Sequence, residues 1–246
     1  RVMIKVEKIS KSFKDTQVLQ GISFDIEKGD FVAVMGPSGS GKSTLLYSIS
    51  GMDSLSDGKV VFEETNISEM EEDELSQFRL IKMGFVFQNA QMLKNLSVFD
   101  NIILPGLVAK KESADNIRKR ALELMKRMEI EGIKEHDIRE VSGGQLQRAS
   151  ICRAMINKPE ILFLDEPTGA LNSEATDQVL AILDDLNRDG MTIMTITHNP
   201  HVAAQARKVI YIRDGQIAAC KEFGTDADRG EELNEWLIGL QPRVSK

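Results

Sequence analysis

Apolar positions recur along the chain with two different periods, and these sort it into strands and helices. Short runs rich in β-branched residues and bounded by turn residues occur at VMIKVEKI, VLQGISFDI, FVAVM, KVVF, GFVF, ILFLD, TIMTIT and KVIYI, and each predicts a strand. Several are almost continuously apolar, as strands of a parallel sheet covered on both faces are. Elsewhere the period lengthens. Val179, Leu180, Ile182, Leu183 and Leu186 form one broad helical stripe that Gly190 closes at a C-terminal cap position, and TIMTIT then follows as in a βαβ crossover. From about residue 89 to 157 strand runs disappear, and Ile117, Ala121, Leu124, Met125 and Met128 line one face of a helix rich in Lys, Arg and Glu. That stretch is expected to be a helical subdomain inserted into an α/β core. Asp214-Gly215 predicts a tight turn joining the last two strands. Residues 225–246 read as a charged tail with a short LNEWLIGL segment and no assigned chemistry, and the acidic run EMEEDEL reads as a solvated helix face rather than a metal site.

The composition narrows the picture. With 246 residues, 41% hydrophobic and 28% charged, the chain has material for one large or two small globular domains. Its net charge of -7 argues against a nucleic-acid partner held by bulk electrostatics. Two cysteines, Cys152 and Cys220, show no pairing pattern, so neither a disulfide framework nor a metal site is expected, and a reducing compartment fits. No apolar run reaches the roughly 18 residues that a membrane span needs. The opening RVMIKVEKIS has no apolar signal core, and it begins without methionine, as a trimmed start would.

Candidate chemistry gathers at strand ends. Gly36, Pro37, Ser38, Gly39, Ser40, Gly41, Lys42 and Ser43 fit the phosphate-loop pattern G-x-x-x-x-G-K-[ST], with FVAVM as the strand before and STLLYSIS as the helix after. The glycines admit close approach of backbone N–H groups to a phosphate at a helix N-terminus. Lys42 adds charge, Ser43 is a Mg²⁺ ligand candidate, and Thr44 is the next residue into the helix. ILFLDEP ends a buried strand in two carboxylates, Asp165 and Glu166, at the edge where open α/β sheets bind ligands. There Asp165 would hold Mg²⁺ and Glu166 would act as general base. His198 follows TIMTIT and should emerge at the same edge to sense the γ-phosphate. His136 and His201 read as surface residues. Gln88 ends GFVF and joins the metal site to the helical insertion. A second candidate anion loop, VSGGQLQR, offers Ser142, Gly143, Gly144 and Gln145 at a helix start.

Taken in order, these motifs resemble the nucleotide-binding subunit of an ATP-binding cassette transporter over residues 3 to about 224. The resemblance implies a P-loop NTPase (RecA-like) α/β core with an antiparallel β subdomain and an inserted α-helical subdomain, all one nucleotide-binding domain over 1–224. It implies ATP and Mg²⁺ as cofactors, with Ser43, Gln88 and Asp165 at the metal and Glu166, His198 and Gln88 as catalytic residues. Phe13 matches the aromatic that stacks on adenine; alone, it reads equally as a core strand residue. Ser142 to Gln145 would cap the nucleotide of a second copy in an ATP-dependent head-to-tail dimer. The helical subdomain would contact integral membrane permease subunits at the cytoplasmic face of a bacterial membrane.

Two positions depart from the family pattern, Val141 for leucine and Asn172 for aspartate; the second loses a charge. The stretches GFVFQ, NIILP and PTGALNS are similar to the macrolide-exporter, lipoprotein-release and peptide-antibiotic-resistance branch, which implies export or release of a drug, antimicrobial peptide or lipoprotein. The alternative is a soluble ATPase of the same superfamily acting on DNA or ribosomes. Such relatives tend to carry a second cassette, a coiled-coil insertion or a zinc module, and none is evident in this sequence.

Overall fold

The computed structural model describes residues 1–224 and 228–241. The chain opens with a hairpin, β1 (Val2–Phe13) and β2 (Thr16–Glu27), and continues through β3 (Phe31–Met35) and α1 (Lys42–Ile49). Next come β4 (Asp57–Phe62), the two-residue β5 (Thr65–Asn66), α2 (Glu72–Lys82) and β6 (Met83–Phe87). Three helices follow, α3 (Val98–Ala109), α4 (Ala114–Arg127) and α5 (Gly143–Met155). The chain then alternates β7 (Ile161–Asp165), α6 (Ser173–Arg188), β8 (Thr192–Ile196) and α7 (Pro200–Ala203), before a hairpin, β9 (Lys208–Arg213) and β10 (Gln216–Glu222), and a final helix, α8 (Arg229–Leu240).

Two sheets result. Strands β2-β1-β4-β5 form an antiparallel sheet, and β10-β9-β3-β8-β7-β6 form the central one, parallel except for the β9–β10 hairpin. Because strand side chains alternate between faces, each central strand feeds two cores. In β3, Phe31, Ala33 and Met35 join the helix-side core, whereas Val32 and Val34 face the antiparallel sheet and α1. In β7, Leu162 and Leu164 go one way, Ile161 and Phe163 the other. The almost continuous apolarity of these strands is the physical requirement of a sheet covered on both sides.

In α4, Ile117, Ala121 and Met125 are buried, Met128 at its C-cap is buried with them, and Leu124 packs alongside. Val98, Ile102, Ile117 and Met125 belong to the same apolar cluster as Val86, Leu164 and Val209 of the sheet, so α3 and α4 have no separate interior. Polar caps set the helix starts: Ser97 accepts from Asp100 N at 3.0 Å and Ser113 from Asn116 N at 3.2 Å. Glu72, Asp73 and Glu74 are exposed in the first turn of α2, with Arg79 and Lys82 in its last, the arrangement that suits the helix dipole.

Within the charged tail, residues 229–240 form α8; residues 225–227 and 242–246 lie outside the described residues. Leu233, Trp236 and Leu237 sit at i, i+3 and i+4, an apolar stripe hidden among charges. Leu233 is buried in the helix-side core, and Trp236 meets Tyr211 edge-on at 6.5 Å between ring centroids.

Candidate active site at the carboxyl edge of the central sheet

The loop after β3 turns so sharply that a Cβ at Gly36 would lie 2.2 Å from the Ile212 carbonyl oxygen and 2.8 Å from Ser40 Oγ. No side chain fits there. Gly41 caps α1 in the left-handed region, φ 100°, which glycine adopts without the Cβ clash. Lys42 Nζ donates to the carbonyls of Gly36 (2.8 Å) and Pro37 (2.9 Å), arching over the loop. Burial pushes the Lys42 ammonium below its ordinary value, against the pull of Glu166 and Asp165. Pro37, Ser38 and Gly39 are exposed on the crest, while Thr44 is half-buried behind it. Ser40 Oγ is buried with no hydrogen-bond partner among the described residues, a polar atom held in reserve beneath the loop.

Asp165, the last residue of β7, is held by α1. Its Oδ1 accepts from Ser43 Oγ at 3.2 Å and its Oδ2 from the Tyr47 hydroxyl at 3.1 Å. Burial, then the charge and hydrogen bond of Asp165, raise the Tyr47 phenol above its usual range. Tyr47 was not legible as a site residue by motif, but it lies four positions after Ser43 and therefore on the same helix face.

Glu166 leaves the strand in the left-handed region, φ 48°, a conformation that costs a non-glycine residue about 1–3 kcal/mol unless its surroundings impose it. They do: its N–H donates to Ile196 O at 2.9 Å, and its Oε1 accepts from both the backbone N–H (3.0 Å) and the ring Nδ1 (2.8 Å) of His198. A carboxylate only accepts, so Nδ1 carries the hydrogen and donates it to Glu166. Glu166 is 18% exposed and His198 72%, so the acid is sheltered while the imidazole faces out. With Thr168, Leu171, Thr176 and Asp177 they line a cavity of about 420 Å³.

Gln88 follows β6 and is exposed, its amide lying against Gly169, where an added Cβ would sit 2.8 Å from Nε2. Residues that no motif signalled hold this region. Gln147, 2% exposed, donates to Phe87 O (3.0 Å) and Pro167 O (2.7 Å), tying α5 to the segments leading to Gln88 and away from Glu166. Arg153 donates to Ala90 O (2.5 Å) and Gln91 O (2.9 Å), and burial lowers its guanidinium below the ordinary value. Asn101, also buried, donates to Leu93 O and Ser97 O, both at 3.0 Å. A polar side chain on a buried helix face was the only clue.

Residues 142–145 start α5. Ser142 Oγ accepts from Gln145 N (3.1 Å) while Gln145 Oε1 accepts from Ser142 N (2.9 Å), a reciprocal capping box. The first-turn amides of Gly143 and Gly144 have no intrahelical acceptor, as helix geometry requires. A Cβ at Gly144 would be 2.9 Å from Ala175 Cβ, so this turn packs on the first turn of α6. Asn172 caps α6, accepting from Ala175 N at 2.9 Å, the local task an aspartate would perform. Among the described residues no hydrogen bond joins 142–145 to the phosphate loop. Phe13 ends β1 as a 45% exposed ring, with Lys11 Nζ 4.9 Å from its centroid, and is not a core residue.

No group of three or more His, Cys, Asp or Glu side chains able to hold a metal ion occurs among the described residues. The Ser43 hydroxyl and Asp165 carboxylate still offer a matched pair of hard oxygens, which fits a Mg²⁺ that shares its remaining ligands with phosphates and water. No helix among the described residues is long and apolar enough to cross a membrane.

A parallel sheet with a phosphate loop after β3, paired carboxylates after β7 and a histidine after β8 defines a P-loop nucleotide hydrolase. The ABC transporter family matches residues 19–169, and the chain belongs to that family as an ATP-binding cassette ATPase. It is 44% identical to the macrolide export ATP-binding/permease protein MacB of Campylobacter fetus over 87% of its length, covering 34% of that protein. It is 42% identical to the ABC transporter ATP-binding protein YxdL of Bacillus subtilis, covering 87% of this chain and 85% of that one. The dimeric post-hydrolysis structure of the cassette MJ0796 of Methanocaldococcus jannaschii, bound to ADP and Pi, superimposes with a TM-score of 0.83 at 36% identity, over 89% of this chain and 98% of that one. The chain thus spans about a third of the MacB relatives it matches.

Proposed function

We propose that the chain is the ATP-hydrolysing part of a bacterial membrane complex, that it closes head-to-tail on a second copy around two ATP, and that closure drives export or release of a drug, antimicrobial peptide or lipoprotein. Residues 1–224 act as one nucleotide-binding domain, with 89–157 as its helical arm. The observation that carries the reading is the convergence of Ser43, Asp165, Glu166 and His198 at one sheet edge, through bonds of 2.8–3.2 Å.

Lys42 transfers from the Gly36 and Pro37 carbonyls to the β- and γ-phosphates, and the loop amides take the remaining charge. Phe13 stacks on the adenine. Ser43, Asp165 and Gln88 hold Mg²⁺, which when bound neutralises phosphate charge. Glu166 removes a proton from the attacking water, and His198 keeps the carboxylate aimed by its double hydrogen bond. Ser142, Gly143, Gly144 and Gln145 of each copy supply a helix N-terminus to the other copy's γ-phosphate. Because Ser142 and Gly143 are exposed at this helix start, and no hydrogen bond among the described residues joins 142–145 to the chain's own phosphate loop, a second copy is the natural recipient.

A groove of about 500 Å³ supports the membrane-subunit assignment. It runs beside the segment after Gln88 and is lined by Met52, Leu80, Phe85, Pro105, Val108 and Arg153. Arg153 also grips Ala90 and Gln91, so a permease element seated there would feel movement of the Gln88 segment. The Glu166→Gln variant tests the scheme. Its hydrolysis rate should fall by about 10²-fold or more, and ATP should shift it from monomer to dimer in size-exclusion chromatography. A wild-type rate, or a monomer with ATP bound, would overturn the reading.

A further inference from the structure

His201 and Asp177 take no part in any motif, yet they bridge two elements that the reaction needs. We propose that His201, through its hydrogen bond to Asp177, is a positioning residue by which the start of α6 sets the placement of His198; this rests on the dimeric reading above.

Helix α7 is four residues long, too short to hold itself together, so tertiary ties decide where it sits. Its N-cap Asn199 accepts from His201 N at 2.9 Å and donates its own N–H to Thr197 Oγ1 at 3.0 Å, which fixes the backbone on both sides of His198. Val202 and Ala203 anchor α7 in the helix-side core, and Arg229 of α8 donates to Gln205 O at 3.1 Å just beyond it. The tie toward the cavity is His201 Nε2 to Asp177 Oδ1 at 2.9 Å, which links α7 to the second turn of α6. A carboxylate accepts only, so Nε2 is the donor.

The same end of α6 carries the Asn172 cap and touches the 142–145 turn, with Gly144 against Ala175. Thr176, between Ala175 and Asp177, is buried in the wall of the Glu166–His198 cavity. One short stretch, 172–177, therefore contacts the turn assigned to the partner's nucleotide and, at His201, the short helix that directly follows this chain's own His198. Displacement of the 142–145 turn reaches His198 through Ala175, Asp177 and His201. The pair is 59% and 68% exposed, so it contributes little to folding stability, and stability measurements separate a positioning role from a structural one.

The test uses the purified chain and its variants His201→Leu, His201→Gln and Asp177→Asn, with steady-state ATP hydrolysis and thermal melting as readouts. His201→Leu and Asp177→Asn should each lower kcat by about 3- to 10-fold, with KM for ATP within about 2-fold and melting unchanged. His201→Gln keeps an N–H donor and should recover most of the rate. The double variant His201→Leu/Asp177→Asn should be no slower than either single one, the signature of one shared interaction. A wild-type kcat in His201→Leu, or rate loss that tracks a fall in melting temperature and is equal in His201→Gln, overturns the proposal. Dimerisation of Glu166→Gln under the same conditions separates the two readings: its failure removes the dimeric scheme, whereas its success beside a fully active His201→Leu removes only this inference.

Discussion

Glu166 Oε1 takes two hydrogen bonds from one residue, the backbone N–H of His198 at 3.0 Å and its ring Nδ1 at 2.8 Å. The backbone bond survives any substitution at 198; the ring bond does not. His198→Ala should therefore lower kcat by about 10²-fold while leaving ATP affinity nearly unchanged, the range typical of a lost proton-transfer or orienting partner. His198→Asn, whose amide can reach toward the Nδ1 position, should fall between the two. Equal rates for Ala and Asn would show that the Nδ1 bond does not orient Glu166.

At Gly144 the constraint is steric. Its replacement by alanine places a carbon 2.9 Å from Ala175 Cβ, and overpacking of this kind costs about 1–3 kcal/mol. ATP binding to a single copy should persist, because the phosphate loop is untouched, while dimer formation and hydrolysis fall. The compensating pair Gly144→Ala/Ala175→Gly should restore part of both. Fluorescent-nucleotide binding and size-exclusion chromatography separate the two effects.

Asn172 departs from the family's aspartate, but its side chain still caps α6. Asn172→Asp should leave the unfolding free energy measured in urea within about 0.5 kcal/mol of wild type, whereas Asn172→Ala should lose about 1 kcal/mol. Any change in the ATP dependence of hydrolysis on Asn172→Asp then reports the added charge, since the cap itself is preserved.

The two cysteines should differ in reactivity. Cys152 is buried in α5, and desolvation pushes its thiol up to about 12. Cys220 is exposed on β10, although partial burial raises its thiol too. At mildly alkaline pH a thiol reagent should modify one cysteine in the folded chain, slowly, and both in denaturant. Rapid modification of Cys152 in the folded state would contradict the packing of α5.

The strands and the phosphate loop were legible because the signal is local: an apolar run reports its own burial, and Gly36 to Ser43 act through their own backbone. Asp165, Glu166 and His198 were legible because each lies at the end of a core strand or within two residues of it. Tyr47, Gln147 and Arg153 were not, because each acts on an atom far away in sequence; Asn101 acts locally, but like Gln147 and Arg153 it bonds backbone carbonyls, which carry no residue identity. Asp177 and His201 escaped for the same reason; each looks like an ordinary surface side chain until the fold brings α6 and α7 together. In α8 the apolar residues are legible, but which of them are core was not, since only docking on Tyr211 and the helix-side cluster picks out Leu233, Trp236 and Leu237.

The interior that Ile117 and Met125 share with Leu164 and Val209 bears on how force can travel. An arm with its own core could swing on a seam. Helices α3 and α4 instead lie in a single apolar layer with the sheet, so the closure proposed above would move them as a slide of packed helices by small steps rather than as a free swing. Whatever sits in the groove beside Gln91 would be dragged sideways as the layers slip past one another, like a card drawn along a deck.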